Sequence, residues 1–324
     1  MAKQKPTKAI YGSNGLTRGR FRLGKWGEKP ASVKQATHDG DTVSTSTPLN
    51  VATRFLGMDA PEISFPIRTR DTFVSIGSQK WKDFWTSGEW TKMPLFPPLL
   101  AHLEARIGRG TKVAENHERW AKAAEDGLED LIEKDRLASG KGLDAFEFFL
   151  AFAREVIDVY GRMLCYLHAH DDNFAAGPPA ERRSYNERLL GEGLAVPYFI
   201  FPNLDPFLFG DPFDPANLAP AGFWKSVNKA KKLQAARKAV ADARSNRSGV
   251  FDPSDRLILL PYEIRFLARK GSKGPERFVI DLGSSGGNTI LRPEEYYSIG
   301  NLEDRLFVPK ELVPLFTVNG WKVK

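Results

Sequence analysis

The segment from His38 to Glu62 constrains this chain most. It places Asp39, Asp41, Asp59 and Glu62 in two short stretches that read as strand ends. Asp39-Gly40 is a turn signal. Thr42-Val43-Ser44-Thr45-Ser46-Thr47 is β-branched or small, which suits a strand. Pro48-Leu49-Asn50 reads as a turn and residues 51–58 as a second strand, so the spacing predicts an antiparallel hairpin. Such a hairpin brings Asp41, at the start of one strand, near Asp59, at the end of its partner. Carboxylates that close repel unless a cation sits between them, and hard oxygen donors suit Ca²⁺ or Mg²⁺. The plainer alternative is a hairpin with solvated acidic ends.

The 324 residues predict two domains. Cys165 is the single cysteine, which excludes an internal disulfide framework. The first residues lead into no apolar signal-peptide core, and no apolar run reaches the roughly 18 residues of a membrane span. The expectation is a protein without a membrane partner, cytoplasmic or exported by a route without an ordinary signal peptide. A net charge of +7 favours a polyanionic partner. Residues 1–30, with Glu28 the only acid, read as a basic flexible arm.

Further along, Trp120, Ala124, Leu128, Leu131 and Ile132 share one face of a helix over 114–137. Residues 146–152 read as a buried strand. Residues 178–193 and 223–245 read as helices, the second with eight basic side chains and one acid between Lys225 and Arg247. Trp81, Phe84, Trp85 and Trp90 crowd into 63–113, where they either stack bases or fill a small core of their own. His168 and His170 read as a solvated strand end. In 251–324, residues 257–260, 263–267 and 278–282 read as strands.

Asp39-Gly40-Asp41-Thr42, then Arg54-x4-Asp59-x-Pro61-Glu62, then Asp158-x-Tyr160-Gly161-Arg162, in that order, resemble staphylococcal-nuclease-like enzymes, the thermonucleases. The likeness covers about 33–62 and 114–245. It implies an α+β fold: an OB-fold five-stranded β-barrel with helices over 31–250, residues 30–36 giving the first strand. An insertion at about 63–113 and a small α+β C-terminal domain, 251–324, lie outside the likeness. It also implies a nuclease that cuts DNA and RNA with Ca²⁺ and leaves 3′-phosphate and 5′-hydroxyl ends. Ca²⁺ would be held by Asp41, Asp59 and the Ala60 carbonyl. Arg54 and Arg162 would grip the phosphate, and Glu62 would act as general base or orient water. Asp39 would support the turn. Tyr160, Phe199 and Phe201 would contact the nucleotide. Ala60 replaces a threonine of the family pattern, and Phe199 and Phe201 replace tyrosines, so hydroxyl contacts are lost there. The rival reading is a non-catalytic OB-fold module that binds nucleic acid or protein. The retained acids and arginines favour catalysis.

Overall fold

The computed structural model describes residues 10–324 apart from 12–16, 27–28, 31, 47–49, 70–71, 109, 111, 159–161 and 174–182. In chain order, the strands that build the site are β1 (Thr17–Leu23), β2 (Thr37–Asp39), β3 (Thr42–Ser46), β4 (Asn50–Phe55), β5 (Gly57–Asp59), β6 (Glu147–Ala151), β7 (Met163–Ala169), β8 (Val196–Ile200), β9 (Phe278–Asp281) and β10 (Arg305–Val308). The main helices are α1 (Val33–Ala36), α2 (Gln79–Thr86), α3 (Pro97–Ile107), α4 (Val113–Ser139), α5 (Tyr185–Gly191), α6 (Pro220–Lys229), α7 (Lys231–Ser245) and α8 (Pro261–Ala268). No described helix is long and apolar enough to cross a membrane.

Five strands close a barrel. β1 pairs antiparallel with β6, β6 with β7, and β4 with β3. β7 runs parallel to β4, and β3 returns to β1 through Arg22↔Ser46 and Leu23↔Thr45. This order, with one parallel pair, is that of an OB barrel. Its first strand is not 30–36. Thr17–Leu23, inside the stretch expected as a flexible arm, supplies it, while Val33–Ala36 forms α1. The reason was local: Ser32 and Gln35 make a reciprocal capping box, which starts a helix.

The expected strand over 51–58 divides in two. Gly57 has φ +75°, and a Cβ there would lie 3.0 Å from the Tyr166 hydroxyl. The chain leaves the barrel at this bend, and β5 pairs with β8 instead, Asp59 opposite Val196. β8 continues the new sheet through β10 and β9. The strand carrying Asp59 is therefore the edge of a sheet completed by the C-terminal segment.

Two cores follow. One fills the barrel under α4, α5 and α7, with Val43, Phe55, Phe148, Leu167, Leu128 and Leu189. The second joins the insertion to the C-terminal segment. Trp81, Phe84, Trp85 and Trp90 are buried in it beside Ile264, Leu267, Tyr296 and Phe307. These rings neither stack bases nor make a core of their own. Residues 263–267, expected as a strand, lie in α8, which Pro261 starts and Glu263 caps by accepting the Leu260 N–H at 2.7 Å. Residues 257–260 form no strand. The helix expected over 223–245 breaks at Ala230 into α6 and α7. His168 is buried against Phe149 rather than solvated.

Gly40 shows why the turn needs glycine. A Cβ there would sit 2.4 Å from the Ala124 Cβ of α4 and 3.0 Å from that of Ala60. Its backbone is ordinary, so the constraint is the close crossing of α4 over the turn. Gly40→Ala should lower unfolding free energy by about 1–3 kcal/mol, the usual cost of an overpacked methyl, measured by urea denaturation.

Candidate active site

The hairpin sets Asp41 beside the end of β4, and the bend at Gly57 brings Asp59 to it. Thr42 pairs with Arg54 across β3 and β4, and the Phe55 N–H donates to the Asp41 carbonyl at 3.2 Å. Past Gly57 the chain turns back, so Asp59 and Ala60 come alongside Asp41. The Ala60 N–H donates to Asp41 Oδ2 at 3.3 Å, and the Thr42 hydroxyl donates to Asp41 Oδ1 at 3.0 Å. One guanidinium nitrogen of Arg54 bridges the pair, 3.4 Å from Asp41 Oδ2 and 3.1 Å from Asp59 Oδ1. Asp39 accepts the Asp41 N–H at 3.2 Å and so fastens the turn.

Sequence reasoning missed two residues of this site. Arg265, on α8, forks onto Asp59, Nη1 to Oδ1 at 2.8 Å and Nη2 to Oδ2 at 2.5 Å. Its Nη1 also reaches Glu62 Oε1 at 2.6 Å. His117, buried on α4, accepts the Glu62 N–H on Nε2 at 2.8 Å and fixes the backbone that carries Glu62. Neither stands in a motif. Arg265 lies 203 positions from Glu62 in the chain and in a stretch whose pattern reads as a strand.

The charges do not balance. Asp39, Asp41, Asp59 and Glu62 face two guanidiniums. Burial, then the neighbouring Asp41 charge, pushes Asp39 well above the usual carboxylate range. Burial would also raise Asp41, but Arg54, the hydrogen bond with Asp39 and the Ala60 N–H outweigh it and hold Asp41 low. Burial raises Glu62, with Arg265 and Arg54 opposing. Asp41 raises Arg54, and Asp59 and Glu62 raise Arg265 against the cost of burial. Both arginines are permanent cations.

No protein-family model matches the chain. One curated relative is Endonuclease YhcR of Bacillus subtilis (strain 168), 25% identical over 194 residues. The match covers 60% of this chain and 12% of that relative. The chain therefore spans a small part of the relative's length. The relative's name and the closed barrel both fit a staphylococcal-nuclease-like OB fold.

The other expected residues fall in different places. Arg162 lies one residue before β7, whose Met163 and Leu164 sit opposite Thr53 and Arg54. Its Nε donates to Asp158 Oδ2 at 2.8 Å. Tyr160 lies outside the described residues. Phe199 and Phe201 are not on a nucleotide surface. Both are buried in the barrel-side core, Phe201 against Phe316 at 5.0 Å. Alternation along β8 sends Tyr198 the other way. Tyr198 lines a cleft with Tyr262, Arg265, Arg269 and Arg277.

The carboxylate donors are of the kind Ca²⁺ takes, but their arrangement does not fit it. Both oxygens of Asp59 accept from Arg265, and the group that Ala60 turns to the cluster is its N–H. Among the described residues no three His, Cys, Asp or Glu side chains converge as a metal cage. In this arrangement the acids hold a guanidinium.

Burial, then the Arg265 charge, pushes the His117 pKa down from 6.5 to about 3. Between those values the unfolded chain binds the proton and the folded chain does not. Stability is thus intact above pH 6.5 and lost progressively as pH falls toward 3. His117→Gln should flatten the decline in the upper part of that window, before the carboxylates titrate, in melting curves recorded across pH.

Proposed function

We propose that this chain hydrolyses phosphodiester bonds in DNA and RNA. The convergence of Asp41, Arg54, Asp59 and Glu62 at one end of an OB barrel carries the reading. The relative's name, an endonuclease, supports cleavage within a strand.

A phosphodiester is already anionic, so attack on it needs charge neutralisation and an activated water. Arg54 meets the phosphate, held in place by Asp41 and Asp59. Arg162, just before the neighbouring strand β7, is the second guanidinium for the oxygens that gain charge as phosphorus becomes five-coordinate. Glu62 takes the proton of the attacking water. Burial raises its pKa and makes it a stronger base than an exposed glutamate. A bond forms between the water oxygen and phosphorus, the bond from phosphorus to the 5′ oxygen breaks, and a proton passes to that oxygen. The products are a 3′-phosphate and a 5′-hydroxyl. His117 positions Glu62 through its backbone and touches no reacting atom.

Glu62→Gln keeps the side chain's size but takes no proton, so cleavage of plasmid and RNA should fall by roughly 10²-fold or more while nucleic-acid binding persists. Arg54→Ala should cost on the order of 10²–10³-fold in turnover, as does loss of one donor to a developing oxyanion. Binding and cutting are measured on the same preparations. Tight binding by the wild type with no cutting in any metal would replace this reading with the binding-module one.

A further inference from the structure

The C-terminal segment places a second cationic feature beside the acidic cluster. One wall of the cleft that Arg265 borders is the loop joining α8 to β9, residues 269–277. The loop carries Arg269, Lys270, Lys273 and Arg277 against one acid, Glu276, and all five are exposed. Arg269 and Arg277 line the cleft itself. Among the described residues neither pairs with a carboxylate. Arg265, lining the same cleft, is committed to Asp59 and Glu62.

Arg277 is also held in place. Its guanidinium carbon lies 5.5 Å from the centroid of the Tyr198 ring, and its Nη1 donates to the Tyr198 hydroxyl at 2.8 Å. Tyr198 stacks on Tyr262, with centroids 5.1 Å apart and planes 16° from parallel. The Tyr262 hydroxyl in turn accepts from buried Arg305 at 3.1 Å. A guanidinium oriented by rings keeps its full charge, whereas one oriented by a carboxylate is already neutralised. The loop backbone is tied as well. The Arg269 N–H donates to the Arg265 carbonyl at 3.0 Å, and the Arg68 N–H to the Ala268 carbonyl at 2.8 Å. Gly274 is buried so near the insertion that a Cβ there would lie 2.9 Å from Leu95 Cδ2. Charged groups fixed before a ligand arrives cost less to order when it binds.

We propose that Arg269 and Arg277 form a phosphate subsite, which binds a backbone phosphate of the same nucleic-acid strand that the acidic cluster attacks. The proposal rests on the phosphodiesterase reading for its ligand. Guanidiniums with free N–H groups match phosphate oxygens in charge and in geometry. Both arginines lie outside the stretches that resemble the thermonucleases, so the C-terminal segment extends the strand's path beyond the barrel. The subsite positions substrate and touches no reacting atom.

The test is binding of a fluorescent single-stranded oligonucleotide, by anisotropy over a salt series, to the full chain carrying Glu62→Gln, which keeps the probe intact. Adding Arg269→Gln or Arg277→Gln should weaken binding on the order of fivefold at low salt and lower the slope of log affinity against log salt by about 0.7, the share of one phosphate contact on a single strand. The loss should be equal for a pyrimidine run and a mixed sequence, because a phosphate carries no sequence. Arg277→Lys keeps the charge without the fork or the ring contact, so it should regain the slope and only part of the affinity. Lys238→Gln removes an exposed cation already paired with Asp242 on α7, and should change neither. Should Arg277→Gln disturb folding in melting curves, Arg277→Lys and Arg269→Gln keep the test. With Glu62 restored, the glutamine variants should raise KM for cleavage and leave kcat little changed. Unchanged affinity and slope in both variants, an equal loss in Lys238→Gln, or no oligonucleotide binding by any chain overturns the subsite. Losses in the variants of a chain that cuts nothing keep the subsite and remove the nuclease reading, and unmoved binding in a chain that cuts does the reverse.

Discussion

Asp59 is wholly buried between the guanidiniums of Arg54 and Arg265. A carboxylate taken out of water has to be matched in this way, because an unpaired one costs several kcal/mol. The demand shapes the surrounding backbone. β4 must end where Arg54 reaches both aspartates, and the chain must leave the barrel at once so that Asp59 turns back toward Asp41. Gly57, in the left-handed region, makes that exit. Asn186 then holds the junction, its amide donating to the carbonyls of Leu56 and Cys165 and its oxygen accepting the Leu167 N–H. A helix expected to belong to the barrel alone thus also fixes the place where the acidic strand departs.

The second core exists on the far side of the same strand. β5 is the edge of a sheet built with β8, β10 and β9, and that sheet needs an apolar cover. The insertion and the C-terminal segment supply it together. The Arg106–Glu263 pair, with Glu263 fully buried, ties α3 to α8 inside this core. Removing one partner of such a pair leaves a buried charge, which makes the junction unforgiving. The C-terminal segment therefore completes the sheet that bears Asp59 and, from the same helix, delivers Arg265 to it.

What was legible in the sequence was local. The hairpin, the proximity of Asp41 and Asp59, the long helix α4 and the strand of β6 each follow from periodicity or turn chemistry within about 30 residues. The break at Gly57 was written in a glycine between two apolar residues, but alternation alone does not separate a bend from a continuous strand. Phe199 and Phe201 were read onto a nucleotide surface, but both rings face the core, and only alternation along β8 separates Phe199 from Tyr198 on the other face. Arg265 and His117 were illegible for a different reason. Each acts on residues more than 50 positions away in the chain, and nothing adjacent to either marks it as a site residue. α8 was misread because its run of apolar residues, buried on most sides, loses the contrast that distinguishes a helix from a strand.

The net charge of +7 deserves the same local reading. α7 looks like a basic surface in the sequence, yet Lys232, Arg237, Lys238 and Arg244 are engaged with Glu187, Asp304, Asp242 and Glu303. Three of those pairs lock α7 to α5 and to the C-terminal segment. Cations committed in this way release few counterions when a polyanion approaches, since release follows the phosphates actually neutralised. Arg269 and Arg277 differ: both are exposed, and both line the cleft that begins at Arg265. Charge left exposed beside the acidic cluster is open to an anion, whereas the same charge on a packed helix holds the fold together. In this chain the second use has absorbed much of the basic helix, and the C-terminal segment has brought the first to the edge of the acidic cluster.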